Sequence, residues 1–132
     1  LPSNNLLDIN ADILVTAAIP DLIKEADVDR LKFKMIVEGS NIPMTEEVEK
    51  LCYKKGILIV PDFVANAGGV ISSYVEYING TPKKMFELVE KKIKLNTKKV
   101  LDDAKKYKIS PRDAAMKIAV ARVRKYCKVC KI

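Results

Sequence analysis

Short unbroken apolar runs alternate with segments of helical period along the first two-thirds of the chain. Residues 13–18 (Ile-Leu-Val-Thr-Ala-Ala), 35–38 (Met-Ile-Val-Glu) and 57–60 (Ile-Leu-Ile-Val) are too short for helices and read as buried strands. Between the first two, residues 21–31 read as a helix or a helical turn. Thr45 can cap the next helix, with Glu46 and Glu47 in its first turn where they favour the dipole. That helix runs to about Lys55 and stops at Gly56, a residue type that closes helices by adopting positive φ. Strands alternating with helices predict a parallel sheet, and right-handed crossovers lay the three strands side by side.

From Gly68 onward the pattern is helical throughout. A helix over 69–77 is closed by Asn79-Gly80, and Thr81-Pro82 offers a cap followed by proline at the first helical position. Phe86, Val89, Ile93, Val100, Ala104 and Tyr107 then form a stripe at spacings of three, four and seven. Asn96 interrupts it, either as a polar spot in a seam or as a bend. Ser110-Pro111-Arg112-Asp113 opens a last helix, on which Ala115, Ala119, Val123 and Cys127 share a face small enough for close helix contact. The predicted class is α/β: about three parallel strands in residues 1–80, and a helical C-terminal extension, 81–132, packed on them.

Composition leaves this picture standing. Of 132 residues, 48% are hydrophobic and 31% charged, an ordinary globular balance. No apolar run approaches the roughly 18 residues of a membrane span, and residues 1–10 lack the basic start and apolar core of a signal peptide. The expectation is a cytoplasmic protein without a membrane partner. Net charge is +7 but uneven: residues 1–82 carry 7 basic and 12 acidic side chains, and residues 83–132 carry 17 and 5. Such a tail can bind nucleic-acid phosphates. No aromatic or glycine interleaving accompanies the lysines, however, and the bland reading of a solvated helix surface is preferred. Three cysteines and no histidine exclude a four-ligand zinc site built from those residues. Cys127-x-x-Cys130 has redox spacing but does not follow a strand, and Cys52, in an apolar helical pattern, reads as a small core residue.

The chemistry is expected at the strand ends, because ligands of open parallel sheets bind beyond the carboxyl ends of the strands. Those ends carry Ala17-Ala18, Gly39-Ser40-Asn41 and Ala65-Asn66. Small residues there let a flat ring approach, and an Asn offers both a donor and an acceptor. A single loop Asn is explained by turn chemistry; two at matching strand ends point to a ligand. Ser73 lies four residues after Gly69, on the same face one turn into the helix, where its hydroxyl can meet a carboxylate. Taken alone, a helix serine is more often solvated or bonded to a backbone carbonyl.

Four segments match a family in order and spacing. Val60-Pro61-Asp62 with Asn66-Ala67-Gly68-Gly69-Val70 and Ser73-Tyr74-Val75-Glu76 resembles the C-terminal part of the glutamate dehydrogenases, within the Glu/Leu/Phe/Val dehydrogenase group. Residues 12–19 resemble that family's strand ending in Pro-Ala-Ala, and Glu38-Gly39-Ser40-Asn41-Ile42-Pro43-Met44-Thr45 its Glu-Gly-Ala-Asn-Gly-Pro-Thr-Thr signature. Arg112-Asp113-Ala114-Ala115 and residues 119–123 resemble its closing helix.

The resemblance implies a partial Rossmann-like sheet and NAD or NADP as cofactor. Asn41 and Asn66 would contact the nicotinamide end, Ala17 and Ala18 would lie against the cofactor, and Ser73 would reach the substrate's side-chain carboxylate. It also implies a glutamate/2-oxoglutarate substrate pair and a homo-hexameric parent. The catalytic lysine and aspartate would sit in a domain with no counterpart here. No Gly-x-Gly-x-x-Gly turn occurs, and the first residue is Leu, which suits a fragment that is inactive alone. Ser72 stands where the family has an apolar residue, Thr16 replaces its Pro and Ser40 its Ala. Ile42 replaces a Gly after Asn41, and a β-branched residue resists the positive φ that glycine allows, which predicts a shifted turn or a different cofactor fit. Two other readings remain: a leucine, phenylalanine or valine dehydrogenase fragment, and a free-standing non-catalytic interaction remnant of the same fold.

Overall fold

Three strands, β1 (Ile13–Thr16), β2 (Met35–Glu38) and β3 (Leu58–Val60), form one parallel sheet in the order β1-β2-β3. The structure is a computed structural model and describes residues 3–127 and 129. In register, Leu14 lies beside Ile36 and Ile36 beside Ile59, so side chains of like direction form rows across the sheet. One face, carrying Leu14, Ile36 and Ile59, is covered by α1 (Glu46–Lys54) and by the chain before and after β1. Leu7, Ile23, Val28, Phe33, Val48 and Cys52 complete that core. Cys52 is the small core residue expected, and burial pushes its thiol up to about 11.

The opposite face is covered unevenly. Val60 packs into a second cluster with Val64, Val100, Ala104, Ala114 and Ala115, contributed by α2 (Asp62–Ala65), α4 (Pro82–Tyr107) and α5 (Pro111–Tyr126). Over β1 nothing comparable lies, and Ile13 and Val15 are 55% and 59% exposed. β1 is also an edge strand. The helix α3 (Gly68–Tyr77) packs on α4 and is followed by a turn through Asn79, whose φ is 53°, and Gly80.

Several elements depart from expectation. β1 ends at Thr16 and not at Ala18, because Gly39 and Ser40 cross its end: Ser40 N–H donates to the Thr16 carbonyl at 2.6 Å. The segment 21–31, read as a helix or a helical turn, is the latter, a 3-10 turn over Glu25–Arg30, while a further 3-10 turn, Ser3–Asp8, precedes β1 unforeseen. The short helix α2 intervenes where β3 was expected to deliver Asn66 directly. Helix α4 runs unbroken for 26 residues through Asn96, which is a seam contact: Arg122 donates to its side-chain oxygen at 3.0 Å. Phe86 and Tyr107 point to solvent, so the α4 stripe narrows to Val100 and Ala104 with half-buried neighbours. On α5 the packed face is Ala114, Ala115 and Ile118, and Val123 lies outside it. Cys130, half of the Cys-x-x-Cys spacing, falls outside the described residues. Among the described residues no helix is long and apolar enough to cross a membrane.

Candidate functional site

The loops after the strands converge on one open cleft of about 810 Å³. Ala17, Ala18, Asn41, Asn66 and Ser73, all singled out from the sequence, line it. Gly39 makes the convergence possible, since a Cβ there would sit 2.9 Å from the Thr16 carbonyl oxygen. At Gly69, which also lines the cleft, a Cβ would meet nothing within 4 Å.

The turn after β2 keeps the glycine-like conformation despite Ile42. Its φ is 47°, so Ile42 adopts the positive φ that a β-branched residue was expected to resist. Two hydrogen bonds hold it there. Ile42 N–H donates to the Asp62 carboxylate at 3.1 Å, and Asp21 N–H donates to the Ile42 carbonyl at 2.9 Å. Asn66 closes α2, with its backbone N–H donating to the Asp62 carbonyl at 2.8 Å. The side chains then meet: Asn66 Nδ2 donates to Asn41 Oδ1 at 2.6 Å. That contact leaves the Asn41 amide nitrogen free to donate and the Asn66 side-chain oxygen free to accept.

Ser73 lines the cleft one turn into α3, but its hydroxyl donates to the Gly69 carbonyl at 3.2 Å, and Ser72 donates to the same oxygen at 2.7 Å. Both serines thus make the local helix contact that competes with ligand binding.

Behind the cleft wall lies a charge cluster that sequence reasoning missed. Arg112, in the first turn of α5, donates to Glu38 at 3.0 Å, to Asp62 at 3.1 Å, and to Glu49 of α1. Glu38 closes β2 and is 0% exposed; it also accepts from Asp62 N–H at 2.9 Å. Burial pushes its carboxyl up to about 7, reinforced by the Glu49 charge and opposed by the Asp62 N–H and Arg112. Burial likewise raises Glu49 against the pull of Arg112. For Asp62 burial also acts upward, yet the N–H groups of Ile42 and Phe63 together with Arg112 hold it below its ordinary value. A glutamate ending an apolar strand was the available signal for this cluster.

Residues 1–129 match the sequence profile of the Glutamate/Leucine/Phenylalanine/Valine dehydrogenase family. The chain belongs to that family. A glutamate dehydrogenase from Aeropyrum pernix is 43% identical over 128 residues, covering 89% of the chain and 31% of the relative. An NADP-specific glutamate dehydrogenase from Saccharolobus shibatae is 42% identical over 77 residues, covering 58% of the chain and 18% of the relative. Among solved structures, L-tryptophan dehydrogenase from Nostoc punctiforme superposes with a TM-score of 0.85 at 28% identity, over 94% of the chain and 37% of that protein. The chain thus spans about a third or less of the length of these dehydrogenases. Membership in a dehydrogenase family implies a nicotinamide cofactor, and the cleft's donor set fits one end of it. A carboxamide needs a donor and an acceptor, and the Asn41–Asn66 pair retains one of each; Ala17, Ala18 and Gly69 line the same cleft with small residues.

Proposed function

We propose that the chain supplies the nicotinamide side of the active site of an NAD- or NADP-dependent glutamate dehydrogenase, which interconverts L-glutamate with 2-oxoglutarate and ammonia. The carrying observation is the gathering of Ala17, Ala18, Asn41, Asn66 and Ser73 around one cleft, with the two amides paired. Residues 1–80 are read as the C-terminal half of the NAD(P)-binding domain and 81–132 as the helices bracing it. Asn41 donates to the carboxamide oxygen and Asn66 accepts from its nitrogen, while Ala17 and Ala18 lie against the cofactor. A bound nicotinamide would supply the hydride acceptor for oxidation at the substrate's α-carbon. Ser73 turns its hydroxyl from Gly69 to the substrate's side-chain carboxylate, exchanging an exposed backbone contact for a charge-assisted one.

No lining residue of the cleft is an acid or base able to move the protons of deamination. The chain is therefore expected to show no turnover by itself; glutamate-dependent NADH formation by the pure chain would refute this. The parent's homo-hexameric assembly belongs to the same proposal and is carried by the resemblance alone. The test is a titration of the full chain with NADH and NADPH, followed by cofactor fluorescence. Saturable binding weakened about tenfold by Asn41→Ala and by Asn66→Ala supports the reading; undiminished binding in both variants sinks it.

A second reading, an apolar amino acid as substrate, is favoured by the engaged hydroxyl of Ser73 and by Val70 exposed in the cleft beside it. In the parent enzyme, Ser73→Ala should raise KM for glutamate. An unchanged KM would favour the apolar substrate.

A further inference from the structure

None of the four charged residues of the Arg112 cluster lines the cleft, and each of its carboxylates belongs to a different element. Glu38 ends β2, Glu49 lies in α1 and Asp62 opens α2. Arg112 itself is 16% exposed and its guanidinium lies 5.5 Å from the centre of the Phe63 ring. Asp62 is the branch point. One carboxylate oxygen accepts from Arg112 and from Phe63 N–H, and the other accepts from Ile42 N–H at 3.1 Å, which holds the positive-φ turn beside Asn41. Its backbone carbonyl accepts from Asn66 N–H at 2.8 Å. Two hydrogen bonds therefore separate Arg112 from each turn that carries a cleft asparagine.

We propose that Arg112 is a positioning residue: by anchoring Asp62 it sets the spacing and polarity of the Asn41–Asn66 pair, although it contacts no ligand. The ligand in question is the nicotinamide of the preceding section, and to that extent the inference rests on it. A planar guanidinium with several fixed donors reaches three carboxylates at once, which the single ammonium of lysine does not. Removing it takes from Glu38, Glu49 and Asp62 the guanidinium they share, so Asp62 is expected to move and to release Ile42.

The full chain carrying Arg112→Gln or Arg112→Lys is compared with Arg122→Ala, which breaks another α5 contact, the one to Asn96. Three quantities are read on folded protein: amide exchange at Ile42, the side-chain amide resonances of Asn66, and the NADH dissociation constant. The expected result is exchange at Ile42 about tenfold faster, displaced Asn66 resonances, and NADH binding weakened about fivefold in the Arg112 variants. Arg122→Ala should lose stability with all three unchanged. Arg112 variants that lose only stability, with Ile42, Asn66 and the dissociation constant unmoved, overturn the proposal and leave Arg112 as a structural brace. Should the unmodified chain bind neither NADH nor NADPH, the cofactor reading falls by itself. The Ile42 and Asn66 signals then still decide the role of Arg112. If Arg112→Gln does not fold, Arg112→Lys supplies the same readouts.

Discussion

Ile42 occupies a conformation that costs an ordinary residue about 1–2 kcal/mol, and its side chain, 59% exposed, recovers little of that by burial. Ile42→Gly should therefore raise the urea midpoint, by about 1 kcal/mol of stability after glycine's greater chain entropy is counted. A fall would show that the isoleucine side chain packs better than its exposure suggests. At this scale the sequence is informative where a position follows from periodicity. Strand ends could be located within two residues, so Ala17, Ala18, Asn41 and Asn66 could be placed at one crevice before any coordinates. Ser73 could be placed on the right helix face for the same reason, but its hydroxyl bond to Gly69 depends on a χ1 choice that spacing does not encode. Asp62 and Arg112 were illegible as a pair. They lie 50 positions apart, and the packing of α5 against β3 brings them together.

Helix ends were read well because their chemistry is local. Thr81 and Ser110 accept from the backbone N–H groups of Lys84 and Asp113 at 3.2 and 3.1 Å, and each is followed by proline. Ser110 also donates to the Asp113 carboxylate at 2.8 Å. Ser110→Ala should lower stability by about 1 kcal/mol in urea unfolding and, by loosening the turn that carries Arg112, speed exchange at Ile42. Thr81→Ala should lower stability by a similar amount and leave Ile42 alone. Equal effects of the two on Ile42 would show that fraying of α5 does not reach the cleft. What escaped reading was the single turn of α2: four residues are too few for a period to show, and Pro61-Asp62 was its only signal. Of the two readings of Asn96, a polar spot in a seam or a bend, the structure gives the first; spacing could not choose between them, since the partner that satisfies Asn96 lies on another helix.

For the whole molecule, acid–base behaviour near neutrality should come from the buried cluster, because the chain has no histidine. Glu38, facing Glu49, Asp62 and Arg112 in the fold, titrates at about 7 against an ordinary value of 4.5. The folded state therefore binds that proton more tightly than the unfolded chain. The stability it contributes is complete below about pH 4.5 and is lost as pH rises through about 7, a change on the order of 3 kcal/mol. Asp62, held low, acts in the opposite sense, and its contribution is lost only as pH falls below the ordinary carboxylate range. Urea midpoints should thus decline between pH 5 and pH 7.5, and Glu38→Gln, which carries no charge to bury, should flatten the decline. A midpoint that rises across that window contradicts the assignment. The fold class was legible as a whole because strand–helix alternation is a long-range pattern; which parts of the sheet go uncovered was not. Ile13 and Val15 on an edge strand present both free backbone groups and bare apolar area, the combination that recruits another strand. Light scattering from solutions of the chain should accordingly grow with protein content at fixed temperature, and Val15→Lys should suppress it. Concentration then sets a ceiling on how much of this chain can be kept dispersed in one volume.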